Sequence, residues 1–377
     1  MKMEIRLAYL SLQITREGQA SYAHVHEIIK DLRSRGCTVD LWEPSSKTNL
    51  FAKILTFIWV QLRLSFQLGK YDLLYVRSHF FCLPVSLVAK CVGVPVIQEL
   101  NGMYTDAAAV YPWTKPLMPV ISAVMDVQLA MATAVVTVTD QFKEWVQKRL
   151  RSQRNVHVIS NGADTNRFHP EAARVAGLPQ NYALFFGALS PWQGLDLILD
   201  AVQQSLWPKE VALVIAGDGL GRKKVEEAQH KGLVRYVGRV PYEKIPGLIA
   251  GSICSLVPKV DEGLGYSETG LAPLKLFESI ACGTAVVVTD FPGMADIVRN
   301  DQCGIVIAQN DSLSLARAVR SLYENDELRF EYGKNGRTAA ENKHSWKQKG
   351  GETFQLVQFL VNQAFAKRAA PLRGHAQ

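Results

Sequence analysis

Lys275 and Glu278, three residues apart in GLAPLKLFESIACGTAVVVTD (270–290), are the side chains best placed to do chemistry in this sequence. Pro273 suits the first turn of a helix and Gly283 suits its stop, and the run Ala285, Val286, Val287, Val288, Thr289 that follows reads as a buried parallel strand. On such a helix Lys275 and Glu278 share a face, about 4.5 Å apart along the axis. The helix N-terminus offers unpaired N–H groups and positive partial charge. Lys275 adds a full charge beside them, and Glu278, one turn on, can accept from ribose hydroxyls. This geometry predicts a nucleoside diphosphate lying along the first two turns. A solvated polar stripe of Lys275, Glu278 and Ser279, opposite an apolar face of Leu274, Phe277 and Ala281, accounts for the same residues.

Open parallel sheets bind ligands beyond the carboxyl ends of their strands, so the loops after each strand hold the other candidates. Gly18, after the first expected strand, lets backbone approach a phosphate or sugar, or is an ordinary loop glycine. Gly187 and Gly217 each end an expected strand where a nucleotide would lie. Asn101, following the strand expected at 94–98 in QELNG, offers both donor and acceptor, or caps an Asn-Gly turn; Glu99 lines the same mouth. His24 and His26 lie at i and i+2 on the first expected helix, hence on different faces, which argues against a shared metal. His24, nearer the helix start, is the one expected to face a ligand, with a satisfied structural histidine as the alternative; His79 is a further acceptor-side candidate.

These residues need a frame, and 377 residues exceed what one core usually organises, so two α/β domains are expected. Strands alternate with helices throughout in the βαβ rhythm of doubly wound sheets. The expected domains are 1–172 and 181–345, followed by a helix and loose tail at 346–377. A hydrophobic share of 48% and a charged share of 20% describe a globular chain with ample core. Six scattered cysteines lack zinc spacing or disulfide density and read as buried thiols in a reducing cytosol. Glu4 and Arg6 interrupt what would be a signal peptide's apolar region. The apolar run from Leu50 to Leu68, broken by Lys53, Gln61 and Arg63, falls short of a membrane span and suits either an interfacial helix or a packed one. The net charge of +7 favours a polyanionic neighbour, either anionic lipid or a phosphorylated substrate; no nucleic-acid-binding motif is present.

The segment PLKLFESIACGTAVVVTD resembles the C-domain signature of glycosyltransferase family 4, the retaining, metal-independent GT-B enzymes that use nucleotide sugars. In order along the chain, YDLLYVR (71–77), VISNGADTNRFHP (158–170), FFGALSPWQGLDLILDAV (185–202), VIAGDG (214–219) and VRYVGRVPYEKIPGLIAG (234–251) agree with it. The resemblance implies two Rossmann-like domains facing a cleft, a C-terminal helix crossing back to the first, and no cofactor or metal beyond the nucleotide sugar.

It also implies site roles. The family's paired glutamates keep only the second, Glu278, because Gly270 stands at the first position. Gly270, Ala272, Pro273 and Lys275 fit a branch with Gly-x-Ser/Ala-Pro-x-Lys here, in which the N–H groups of Leu271 and Ala272, with Lys275, hold the phosphates. Ala188 and Gln193 stand where many members carry a phosphate-gripping Arg and Lys. Asn101 stands where relatives often carry a histidine that contacts the donor sugar. The implied activity is retaining transfer, by same-face attack, of a sugar to a glycan or lipid-linked acceptor in envelope or polysaccharide biosynthesis, in the cytoplasm or at an anionic membrane surface. A GT-B nucleotide-sugar epimerase and a noncatalytic transferase-like subunit are the competing expectations.

Overall fold

The computed structural model describes residues 4–15, 20–45, 50–103, 112–152 and 155–369. Contacts divide the chain into two units, residues 1–160 with 349–377, and residues 161–348. In the first, β1 (Arg6–Ser11), β2 (Thr38–Trp42), β3 (Leu73–Arg77), β4 (Val96–Leu100), β5 (Ala134–Thr137) and β6 (Val156–Val158) form a parallel sheet in the order β2-β1-β3-β4-β5-β6. In the second, β7 (Tyr182–Ala188), β8 (Ala212–Asp218), β9 (Arg235–Gly238), β10 (Cys254–Val257), β11 (Val286–Thr289) and β12 (Gly304–Ile307) pair in parallel in the order β12-β11-β10-β7-β8-β9. The strand order therefore reverses between β1 and β3 in one unit and between β7 and β10 in the other, and such reversals open the crevices where α/β sheets take ligands.

Strands covered on both faces need apolar side chains at successive positions, and β11 supplies them: Val286, Val287 and Val288 are all buried. One face of the second sheet packs Phe185, Leu213, Ile215 and Val287 against Ile198, Trp207, Leu315 and Val319. In the first unit Leu10, Leu74, Val76 and Val96 pack with Leu64, Leu68 and Val85. β4 begins at Val96, two residues later than expected, since Pro95 has no N–H to give to the ladder; Glu99 is consequently a strand residue and Asn101 follows directly after Leu100.

Residues 161–172 go with the second unit, and the reason is visible in their bonds. Ala163 exchanges backbone hydrogen bonds with His344 (2.9 Å) and Trp346 (3.0 Å), and Arg337 donates to the carbonyls of Thr165, Phe168 and Ala281. The helix Trp346–Ala369 starts in the second unit and from Lys349 onward belongs to the first. One reading needs correction: Cys37, Cys82, Cys254, Cys282 and Cys303 are buried, but Cys91 is exposed, because it ends the helix Leu83–Cys91 on its solvent side.

β7 and β8 approach so closely at their carboxyl ends that Gly217 admits no side chain, and Gly187, in a left-handed conformation, leaves room for Lys275. At Gly217, φ is 143° and an added Cβ would stand 1.8 Å from the Gly187 carbonyl oxygen; at Gly187, φ is 117° and the Cβ would stand 2.7 Å from Lys275 Cε. Gly217→Ala is expected to lower the unfolding free energy by about 3 kcal/mol through strain and backbone displacement, read by thermal or urea denaturation; a loss below ~0.5 kcal/mol would contradict that packing.

Candidate functional site

Every residue from Leu276 to Ala281 on the helix Leu274–Ala281 is buried, which sets the character of the site. The solvated polar stripe considered for this segment is therefore absent. Ser279 points inward and donates from Oγ to Ser255 Oγ at 2.7 Å, and Glu278 is only 8% exposed. Pro273, in extended conformation, precedes the first helical residue and supplies no capping side chain, so the helix N-terminus keeps its donor character.

Lys275 projects from the first turn onto the end of β7. Its Nζ donates to Gln193 Oε1 at 2.8 Å and lies 4.1 Å from the centroid of the Phe185 ring, with its stem over Gly187. Among the described residues no carboxylate is within ion-pair distance of it. Burial pushes the ammonium well below the usual lysine range, the neighbouring charge of Lys259 pushes it further, and Glu278 pulls the other way. Gln193 thus occupies the ammonium with a neutral amide.

Glu278, one turn on, accepts from the Tyr242 hydroxyl at 3.0 Å, and the Arg167 guanidinium stacks over the Tyr242 ring at 4.9 Å. Burial raises the Glu278 carboxyl to about 7 against the opposing pulls of Tyr242, Lys275 and Arg167. The carboxyl is therefore poised near neutrality.

Gly270, with φ 68°, ends the short helix Tyr266–Thr269 and turns the chain toward Lys275. The N–H of Leu271, expected to face the phosphates, donates instead to the Pro292 carbonyl at 2.9 Å, because the turn packs on the segment after β11. The Ala272 N–H makes no such bond among the described residues, while its carbonyl accepts from Asn161 Nδ2 at 2.7 Å. Within the second unit Gly187, Gly217 and Lys275 meet at one end of the sheet, with Glu278 a turn further along. Gly18 lies outside the described residues.

The first unit carries a separate polar layer. His24 is 4% exposed and turned onto the sheet, its Nε2 2.5 Å from Glu99 Oε1, and Tyr9 donates its hydroxyl to Glu99 Oε2 at 3.0 Å. Tyr9 and Tyr75 stack at 4.8 Å. Burial pushes Glu99 up, but His24, Arg77 and the Tyr9 hydroxyl outweigh it and hold the carboxyl at about 2. Asn101 follows the end of β4, with its Nδ2 buried and without a hydrogen-bond partner among the described residues. His26 stacks on Tyr22, and His79 sits among Phe57, Phe80 and Phe81, where burial lowers it to about 4 and its Nδ1 accepts from the Phe81 N–H. Tyr9, Tyr75 and Arg77 escaped the sequence reading, as did Tyr242, Gln193's bond and Lys259. Polar residues at alternate positions of otherwise apolar strands were the available signal for the first three.

Residues 171–339 match the family model of glycosyl transferases group 1, and residues 23–167 match that of Glycosyltransferase Family 4. The chain belongs to this glycosyltransferase family. It is 25% identical over 217 residues to an uncharacterized glycosyltransferase of Methanocaldococcus jannaschii, covering 57% of this chain and 56% of that relative's length. It is 26% identical to a D-inositol 3-phosphate glycosyltransferase of Catenulispora acidiphila over 89% of this chain and 83% of that one. Among solved structures, sucrose-phosphate synthase from Thermosynechococcus elongatus superposes with a TM-score of 0.77 at 18% identity, over 96% of this chain and 100% of that one. Anabaena HepE in complex with UDP does so with 0.67 at 16%, over 94% and 100%. These likenesses establish the GT-B fold, with two Rossmann-like domains.

The raised Glu278 carboxyl has a measurable consequence. Below about pH 4.5 it is protonated in both folded and unfolded chains; as pH rises toward 7 the unfolded chain ionises first, so stability present at low pH is progressively lost. Glu278→Gln is expected to remove this component, on the order of 3 kcal/mol between pH 4.5 and 7.5, seen as a flatter dependence of the melting temperature on pH. Parallel curves for the two proteins would contradict the assignment.

Proposed function

We propose that this glycosyltransferase moves a sugar from a nucleoside-diphosphate sugar to a glycan or lipid-linked acceptor, with retention of anomeric configuration and without a divalent metal or other cofactor. The observation that carries the donor half is Lys275: a half-buried ammonium held over Gly187 at a helix N-terminus, with a neutral amide as its hydrogen-bond partner. Departure of a nucleoside diphosphate from an anomeric carbon builds negative charge on the leaving oxygen. A half-buried cation fixed in place by its hydrogen bond to Gln193 stabilises that charge with little reorganisation. Glu278 accepts from ribose hydroxyls, and Asn101, whose Nδ2 is buried without a partner among the described residues, acts on the sugar side, while His24, bonded to Glu99, holds that carboxylate in place. Attack comes from the face the phosphate leaves, with that phosphate taking the acceptor's proton, so no protein nucleophile is assigned.

The acceptor half is supported by the helix Leu50–Ser65. Its inner side packs Phe57, Val60 and Leu64 on the core, while Phe51 (72% exposed), Leu55, Trp59 (60%) and Leu62 form an outward apolar stripe continued by Phe66. Lys53 and Arg63 lie on the same helix. An outward apolar stripe on a chain of net charge +7 suits the surface of an anionic bilayer, with the envelope as the setting for the acceptor. No helix among the described residues is long and apolar enough to cross a membrane.

A nucleotide-sugar panel read by mass spectrometry, with lipid and soluble acceptors, tests the whole reading. Lys275→Ala should lower transfer by a factor of about 10² to 10³ or more while leaving the melting temperature near that of the parent; undiminished turnover would remove the central role of this residue. Binding of a nucleoside diphosphate with no turnover across the panel would favour a noncatalytic subunit, a reading to which the neutral residues at 188 and 193 lend substance. Trp59→Gln with Phe66→Gln should abolish cosedimentation with phosphatidylglycerol vesicles. Equal binding by parent and variant would place membrane contact elsewhere.

A further inference from the structure

Lys259 lies in the turn after β10, and β10 neighbours β7 where the order of the second sheet reverses. That reversal is the expected ligand crevice of this unit. The turn is firmly held. The Lys259 N–H donates to Thr289 Oγ1 at 2.8 Å, the same hydroxyl donates back to the Lys259 carbonyl at 3.1 Å, and the Val260 N–H donates to the Trp192 carbonyl at 3.2 Å. Pro258 packs against Gly194, where an added Cβ would stand 3.0 Å from its ring. The turn after β10 is thereby fastened to the turn after β7, the one that delivers Gln193 to Lys275.

The side chain so positioned is a lysine only 5% exposed, close enough to Lys275 for its charge to act on that ammonium. Two like charges brought together away from water repel more strongly than in water. A ligand carrying two or more negative charges reverses the sign of that interaction. Lys259 also interacts with another group of the protein, and a bound diphosphate, with its higher charge, would compete with that interaction for the ammonium.

We propose that Lys259 is the second cation of the donor diphosphate site, contacting the phosphates together with Lys275 and supplying charge that Ala188 and Gln193 do not. This rests on the donor reading above and adds a residue to it. Recognition is then by charge at the phosphates, so it discriminates a diphosphate from a monophosphate and is indifferent to the base.

Calorimetric titration of the full chain with UDP, GDP, UMP and GMP tests it. In Lys259→Met the preference for the diphosphate over the matching monophosphate should fall by about ten- to a hundredfold, the effect of losing one charge-assisted hydrogen bond, and Lys259→Arg should keep most of it. An unchanged preference in Lys259→Met overturns the assignment while leaving the donor reading standing. If the Met variant does not fold, the Arg variant and Lys259→Gln decide: a preference kept by Arg and lost by Gln supports the proposal, and one equal in both overturns it. A parent chain that binds none of the nucleoside diphosphates removes the donor reading itself, and this inference with it.

Discussion

A half-buried lysine ammonium held over the backbone of a neighbouring strand is the constraint around which the second unit is arranged. Desolvating such a group is unfavourable, and the surroundings offset that only in part: the Phe185 ring faces it, Gln193 accepts from it, and Glu278 acts from one turn away. The nearby charge of Lys259 works against it. Neutral hydrogen bonding with uncompensated charge is a poor arrangement for stability and a suitable one for receiving an anion. Gly187 and Gly217 follow from the same geometry, since any side chain at either position would occupy the place of Lys275 or of the strand beside it.

The departures from the commoner family pattern are connected through this residue. Where many members carry a second lysine, Gln193 is hydrogen-bonded to Lys275, so a neutral amide meets the remaining cation where a charge would repel it. The missing first glutamate is equally local: Gly270, with φ 68°, closes a one-turn helix in a conformation a glutamate would adopt only with strain. Both changes alter how charge is distributed around one end of the sheet and leave the sheet itself untouched.

The first unit solves a different problem. Tyr9, Tyr75, Arg77, Glu99 and His24 form a buried polar layer at the carboxyl ends of β1, β3 and β4, with Glu99 kept ionised by the groups around it. Within it Glu99 is satisfied by Tyr9 and His24, whereas Arg77 Nη1 and, at the edge, the Asn101 amide keep donor capacity unspent among the described residues. The outward stripe of the helix Leu50–Ser65 is on the opposite side of the ledger: apolar surface that the unit's own core does not cover.

The βαβ alternation, the parallel sheets, the family and the helix bearing Lys275 and Glu278 were legible in the chain, because each depends on local patterning: β-branched runs, glycine and proline at element ends, and side chains three residues apart on one face. Burial of Glu278, diversion of the Leu271 N–H to Pro292, the inward turn of His24 onto Glu99 and the nearness of Lys259 to Lys275 were not. Lys259 and Lys275 stand 16 residues apart in sequence on different elements, and only the strand order that puts β10 beside β7 brings their charges together. What local sequence determined was which residues could carry charge or donate a hydrogen bond; tertiary packing decided which of those groups are stripped of water and which are already partnered, since desolvation and pairing depend on neighbours that the chain brings in from elsewhere.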